Sequence, residues 1–389
     1  MSSVRRGNRV LLLLVVVAVM ALALSGFVSL APNRLVSGRP LSLWTVTDAP
    51  ILVALALLGA LLLTAALVRQ SPSLHRAAAL LGGVLLLMLV FAAGRAGTSL
   101  IATAGPVARV ALGAGFWIAA SSVALAILDA FQRLRAGPVA GIATALALCA
   151  GIGGMAACGV FDHLSIMIEY RSHEAVFGQE LGRHFLLVLG SVGAGLAIGA
   201  PLGIRLTALP RLRGPVFAVL NLLQTIPSVA LFGLLIAPLS LLAATFPALQ
   251  ALGIRGIGTA PALIALTCYA LLPIVRYTYT GFAGVDPDVV EAALGMGFTR
   301  GQIRRRIEFP LALPMLLAGL RIVLVQSIGL AVVAALIGAG GLGTFVFQGI
   351  GQDALDLVLL GTVPTIFLAL STDFLLKAAT STLERRLAR

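Results

Sequence analysis

Apolar residues run along this chain in long blocks separated by short polar segments, and the blocks approach the roughly 20 residues that cross a bilayer as a helix. Ten are read, at about 10–31, 49–68, 77–94, 106–128, 138–160, 184–204, 215–237, 260–280, 314–337 and 355–377. The pattern predicts an all-α polytopic membrane protein of about ten transmembrane helices in two parts. Residues 1–160 form five spans with short loops, and residues 184–389 form five more. Between them the polar stretch 161–183, FDHLSIMIEYRSHEAVFGQELGR, predicts a helix lying along the membrane surface.

One polar island interrupts the second part, DPDVVEAALGMGFTRGQIRRRIEFPLALP at 286–314. Asp288 with Glu291 three residues on predicts a capping box, and Thr299 with Gln302 predicts another. Gly295 and Gly297 fall between them, where a helix ends and the chain turns. The expectation is helix, glycine turn, helix. The first piece presents a small aliphatic surface built from Val289, Val290, Ala292, Ala293, Leu294 and Met296. The second carries Arg300, Arg304, Arg305 and Arg306 and is expected to stop at Pro310, which has no N–H for a helix interior.

Composition fixes the class. The chain is 60% hydrophobic and 11% charged, with a mean hydropathy of +1.08, which excludes a soluble globular domain. A net charge of +13 would suit a nucleic-acid binder, but its distribution argues otherwise. With the polar island placed in the cytoplasm, ten spans put both termini there. The inside segments, including Arg5, Arg6 and Arg389, then hold 18 of the 27 basic residues and the outside segments 7. That is the positive-inside bias. The excess is an orientation signal, and no nucleic-acid partner is expected. Residues 1–31 also have the look of a signal peptide ending at Ser29-Leu30-Ala31, but the apolar stretch is long for one, so an uncleaved first span is the reading. Cys149, Cys158 and Cys268 fall in apolar blocks and read as small buried residues rather than disulfides or metal ligands.

The island resembles the EAA signature of permease subunits of ABC importers. The residues that carry it are Glu291, Ala292, Ala293, Gly297, Ile307 and Pro310, with Phe309 where the family has leucine. Three further stretches resemble the osmoprotectant branch (glycine betaine, choline, carnitine): LLQTIPSVALFGLL at 222–235, LLPIVRYTYTGF at 271–282 and LIGAGGLGTFVFQGI at 336–350. The resemblance covers about the last 200 residues. It implies a five-helix type I permease core whose loop 286–310 is a coupling helix seated on an ATPase. It also implies a second permease subunit, an extracytoplasmic solute-binding protein, and ATP bound only by the partner. Importers of another solute, such as methionine or an alkanesulfonate, fit the same signature.

Other motifs carry less. Gly338-Ala-Gly340-Gly-Leu-Gly343 matches G-x-G-x-x-G but follows a membrane span rather than a strand, so it reads as a tight turn. The chain has one lysine, Lys377, and no glycine loop leading to it, so no Walker A motif powers it from within. His173-Glu174 begins an H-E-x-x-H pattern, but Phe177 stands at the second histidine. No paired catalytic groups suit an intramembrane enzyme, and no catalytic residue or metal site is assigned. Glu169/His173 and Glu180/His184 are read as solvated i,i+4 pairs. Gly193, Gly195, Gly199 and Gly203 predict close helix packing. Polar side chains inside spans mark pathways. The candidates are Asn221, Gln224 and Thr225, next to a kink at Pro227, with Gln326 and Ser327. Arg321 is expected to snorkel or to meet the coupling segment, and Asp373 to lie near the interface.

Overall fold

A computed structural model describes residues 7–34, 36–105, 107–135, 137–251 and 253–387, so Arg5, Arg6 and Arg389 lie outside the described residues. Among those described, nine helices are long and apolar enough to cross a membrane, and Arg9–Leu24 is a shorter apolar helix of 16 residues. The chain divides into two compact units, Met1–Ser172 and His173–Arg389. The division falls inside the stretch expected to be a single surface helix.

The first unit comprises α1 (Arg9–Leu24), β1 (Val28–Ala31), β2 (Arg39–Leu41), α2 (Leu43–Val46), α3 (Ala49–Leu67), α4 (Pro72–Ala104), β3 (Arg109–Leu112), α5 (Ala114–Leu134), α6 (Pro138–Ala157) and α7 (Ser165–Ser172). Small residues let its long helices approach closely. A Cβ on Gly82 of α4 would lie 2.8 Å from Ile127 of α5, and one on Gly94 would lie 2.6 Å from the Val160 carbonyl oxygen. Asn8 caps α1 through its own carboxamide oxygen and donates to Asp129 of α5 at 2.6 Å. That tie is worth the order of 1 kcal/mol typical of a cap.

Two expected spans differ here. The block 10–31 stops being helical at Leu24, and the block 106–128 becomes helical only at Ala114. Val28–Ala31 at the end of the first block and Arg109–Leu112 at the start of the other join Arg39–Leu41 in an antiparallel sheet in the order β2–β1–β3, with Val28 opposite Leu41 on one side and Leu112 on the other. A short apolar run such as the one holding Val28, a β-branched residue, suits a strand as well as a helix end, and hydropathy alone does not separate the two uses. Cys149 and Cys158 lie on exposed faces, not in the interior, because α6 buries little of its surface within the chain.

The second unit is built on α8 (Glu174–Ala208), α9 (Pro210–Thr225), α10 (Ser228–Thr245), α11 (Pro247–Ala251) and α12 (Thr259–Ala283). It continues with α13 (Pro287–Gly295), α14 (Arg300–Ile303), α15 (Phe309–Val333), α16 (Gly343–Gly351) and α17 (Leu355–Leu387). Helix α12 is central, packed between α8 and α15. Gly195, Gly199 and Gly203 of α8 are the close-approach points. Added Cβ atoms would lie 3.0 Å from Ala270, 2.9 Å from Ile274 and 2.8 Å from the Val275 carbonyl oxygen. Three of the four stripe glycines therefore serve contact within this chain, while Gly193 meets nothing within 4 Å.

The expected span 215–237 is broken. Ile226 is extended, at φ −70° and ψ 126°, and the helix restarts after Pro227. Polar backbone freed inside a span must find a partner. Here Tyr269 of α12 donates its hydroxyl to the Ile226 carbonyl, and Gln224 donates to the Tyr269 carbonyl at 2.9 Å.

Candidate functional site

The polar island folds as a hairpin with sharply defined corners. Asp286, not Asp288, is the N-cap of α13: its carboxylate accepts the Asp288 N–H at 2.9 Å, with Pro287 in the first turn. Proline favours that position because its missing N–H is an orphan there anyway, and this sets the start two residues earlier than the Asp288/Glu291 spacing suggested. The helix ends in a Schellman motif. The Phe298 N–H donates to the Ala293 carbonyl at 3.1 Å and the Gly297 N–H to Leu294 at 2.9 Å. Gly297 has φ +84°, while Gly295 stays helical. Thr299 then caps α14, and both halves of its box with Gln302 are formed, at 3.3 and 2.8 Å.

The second helix does not stop at Pro310. From Arg300 to Val333 the chain is one helical rod: α14, a π segment at Arg304–Glu308, and α15. The Phe309 N–H reaches back five residues to the Arg304 carbonyl. A π turn shifts the hydrogen-bond register by one residue, and Pro310 follows it in the first turn of α15. The rod therefore links the hairpin mechanically to a membrane-spanning helix.

Of the hairpin residues singled out from the sequence, Ala293 is fully buried, and Glu291, Ala292 and Gly297 are exposed. Ile307 and Pro310 are half-buried along the rod. Val289, Leu294, Met296 and Phe309 are exposed large apolar side chains; Met296 is 69% exposed. Large apolar side chains left exposed on a polar hairpin are open to contact by another surface. Ile204, Phe282, Arg304, Arg305 and Phe309 line an open cleft of about 280 Å³.

The polar residues within spans are less unified than the sequence implied. Asn221 is exposed on α9 and accepts from Arg276 of α12 at 3.4 Å. Gln224 is held by the Tyr269 carbonyl, and Thr225 bonds back to the Leu222 carbonyl at 2.7 Å. Gln326 is half-buried and Ser327 is buried on α15. Arg321 does not meet the hairpin; it pairs with Asp373 of α17 at 2.5 Å. The structure thus brings Asn221 to an arginine that sequence reasoning had left aside, and places Gln224 and Thr225 in backbone work.

Glu180 and His184 are not a solvated pair. Glu180 is 5% exposed and accepts the Gly341 N–H at 2.5 Å, with Thr344 at 3.4 Å and Arg183 at 2.9 Å. Gly340 and Gly341 have φ +77° and +87°, and a Cβ on Gly340 would lie 2.7 Å from the Glu180 carboxylate. Glu180 therefore holds, from another helix, the glycine turn that leads into α16, with its charge near the positive end of the α16 dipole. His184 is 1% exposed and packs against Gly341. Glu169 is likewise buried and pairs with Arg34 at 2.8 Å. Both carboxylates left water because tertiary partners replaced it. Glu180→Ala strands a buried N–H, a loss of roughly 1–3 kcal/mol. The melting temperature of the purified protein is expected to drop by several degrees, and Glu180→Gln, which still accepts, by less.

Long apolar helices joined by a capped polar hairpin that leaves apolar side chains exposed define a multi-pass membrane protein. Residues 195–389 match the family described as binding-protein-dependent transport system inner membrane component, and the chain belongs to that family. Residues 6–167 match the N-terminal domain described for the ABC transporter permease YehY. Over 194 residues, half of this chain and 82% of the relative, it is 39% identical to the carnitine transport permease protein OpuCB of Listeria monocytogenes. The osmoprotectant import permease protein OsmW of Salmonella typhimurium is 40% identical over 194 residues, half of this chain and 85% of that protein. The choline transport system permease protein OpuBD of Bacillus subtilis is 34% identical over 212 residues, 54% of this chain and 87% of that protein.

Proposed function

We propose that this chain is the membrane-spanning permease subunit of an ABC importer that takes up glycine betaine or a related osmoprotectant. The observation that carries the reading is the likeness of about half of this chain to permeases named for carnitine, osmoprotectant and choline transport, with residues 195–389, hairpin included, matching the transport family. In this reading the hairpin 286–310 faces the cytoplasm of a bacterial cell and seats on an ATPase subunit through Val289, Leu294 and Met296, and both termini are cytoplasmic. A second permease copy or a related chain completes the pathway, and an extracytoplasmic binding protein delivers the solute. Nucleotide binding closes the ATPases, the rod Arg300–Val333 carries that motion into the bundle, and the pathway alternates between two access states. A driver shifts such an equilibrium only through contacts that differ between the states, and the hairpin supplies them. The fixed caps and the glycine turn favour this role, because a force is transmitted only by a shape that does not yield.

The direct test is uptake of labelled glycine betaine under salt stress by a deletion strain carrying this chain with its partner subunits. Restored uptake is expected; no uptake of betaine, carnitine or choline overturns the solute class. Orientation is tested separately. In a background without native cysteines, Met296→Cys is expected to react with a membrane-impermeant maleimide only after permeabilisation. Labelling in intact cells sinks the coupling role.

A further inference from the structure

A polar and aromatic stripe runs along the α9–α12 face, on the half of the bundle nearer the hairpin. Arg213, Phe217 and Asn221 stand four residues apart on α9, one above another, while Arg276 and Tyr279 stand three apart on α12. Phe217 and Tyr279 meet edge to face with centroids 5.8 Å apart. The Arg213 guanidinium lies 5.1 Å from the Tyr279 ring centroid and that of Arg276 lies 5.8 Å from the Phe217 centroid.

The two arginines differ in their remaining ties. Arg213 is committed: it donates to the carbonyls of Leu206 and Thr207 at the end of α8, both at 2.9 Å. Arg276 is exposed, with one long bond to Asn221 at 3.4 Å and no carboxylate partner among the described residues. It lies seven residues before the end of α12 at Ala283, about 10 Å along the helix axis. An arginine within an apolar helix of spanning length, with no carboxylate partner among the described residues, points to a functional position.

Resting on the importer reading, we infer that Arg276, Phe217 and Asn221 form a transit site for solutes carrying both a quaternary ammonium and a carboxylate. A guanidinium is a fork for a carboxylate and leaves the ring when it finds one. The Phe217 face, which a cation already covers, is then free for a methylated ammonium, held by the same attraction. Asn221 adds a neutral donor and acceptor without repelling either end. A solute that is only a cation gains the ring but meets the charge of Arg276, so the site separates betaine-like zwitterions from choline. The site is weak by construction, because the solute displaces an internal partner, and weak binding suits a position that must release.

The test uses the assembled permease–ATPase complex in nanodiscs, without binding protein, and saturation-transfer NMR on the methyl protons of glycine betaine and of choline. The wild type is expected to transfer to betaine more strongly than to choline. Arg276→Gln is expected to cut the betaine signal about tenfold, the worth of one charge-assisted bond, and to leave choline unchanged or raised. Phe217→Leu lowers both. A betaine-to-choline ratio unmoved by Arg276→Gln, or no transfer to betaine in the wild type, overturns the site. The same preparation, reconstituted with binding protein and ATP, is assayed for betaine uptake. Uptake with an unmoved ratio rejects the transit site alone, and absent uptake rejects the importer reading.

Discussion

Replacing Gly297 by valine is expected to reduce uptake at least tenfold at an unchanged level of protein in the membrane, while the assembled complex still hydrolyses ATP. The reason is backbone conformation. Gly297 has φ +84°, and nothing lies within 4 Å of where its Cβ would stand, so the obstacle is not space. A side chain in the left-handed region costs roughly 1–2 kcal/mol, and a β-branched one is a true outlier there. Valine escapes by rotating the turn, which breaks the Phe298-to-Ala293 and Gly297-to-Leu294 bonds and re-aims α13 against the rod. Each 1.4 kcal/mol lost from the driven state is a factor of ten. Gly297→Asn is expected to fall between wild type and valine, since asparagine enters this region more readily. Wild-type uptake by the valine variant, with matched expression, rules out a coupling role for this turn.

The second large effect separates two glycines of one helix. Gly203→Ala is expected to destabilise the protein and Gly193→Ala to leave it unchanged or slightly more stable. At Gly203 the new carbon would lie 2.8 Å from both the Val275 carbonyl oxygen and Thr278 Cβ. A main-chain atom of a packed helix cannot turn aside, so α8 and α12 must separate. Overpacking of this kind costs about 1–3 kcal/mol. At Gly193 nothing lies within 4 Å, and alanine gains up to about 1 kcal/mol of helix propensity. Thermal unfolding of the two purified variants, read side by side, checks the signs. Equal shifts would mean the stripe does not act through α12. Gly203→Leu extends the series and is expected to lower the yield of folded protein sharply.

The hairpin was the most legible part of the chain, because caps and turns are local. Thr299 with Gln302 closes its box within four residues, and the glycine turn at Gly297 is a backbone requirement written in one residue. Local rules also erred locally. Asp286 outcompeted Asp288 as the cap because Pro287 sets the first turn, and the π segment carried the helix through Pro310. The polar residues inside spans were legible as a set but not as partners. Nothing within a few positions of Gln224 says that it will hold the Tyr269 carbonyl, 45 residues away, or that Asn221 will meet Arg276 rather than stand alone.

The long apolar blocks, the charge bias and the spacing from Glu291 to Pro310 fixed the membrane class, the approximate spans and the family, because hydropathy and local turn chemistry depend on neighbours in the chain. The tertiary structure alone decided where α8 meets α12, why Glu180 leaves water for the turn at Gly341, and how the ends of two apolar blocks came to pair in a three-stranded sheet. The physical reason is common to all three. Burial, close approach and charge compensation depend on which distant residue arrives, and a hydropathy profile carries no record of that.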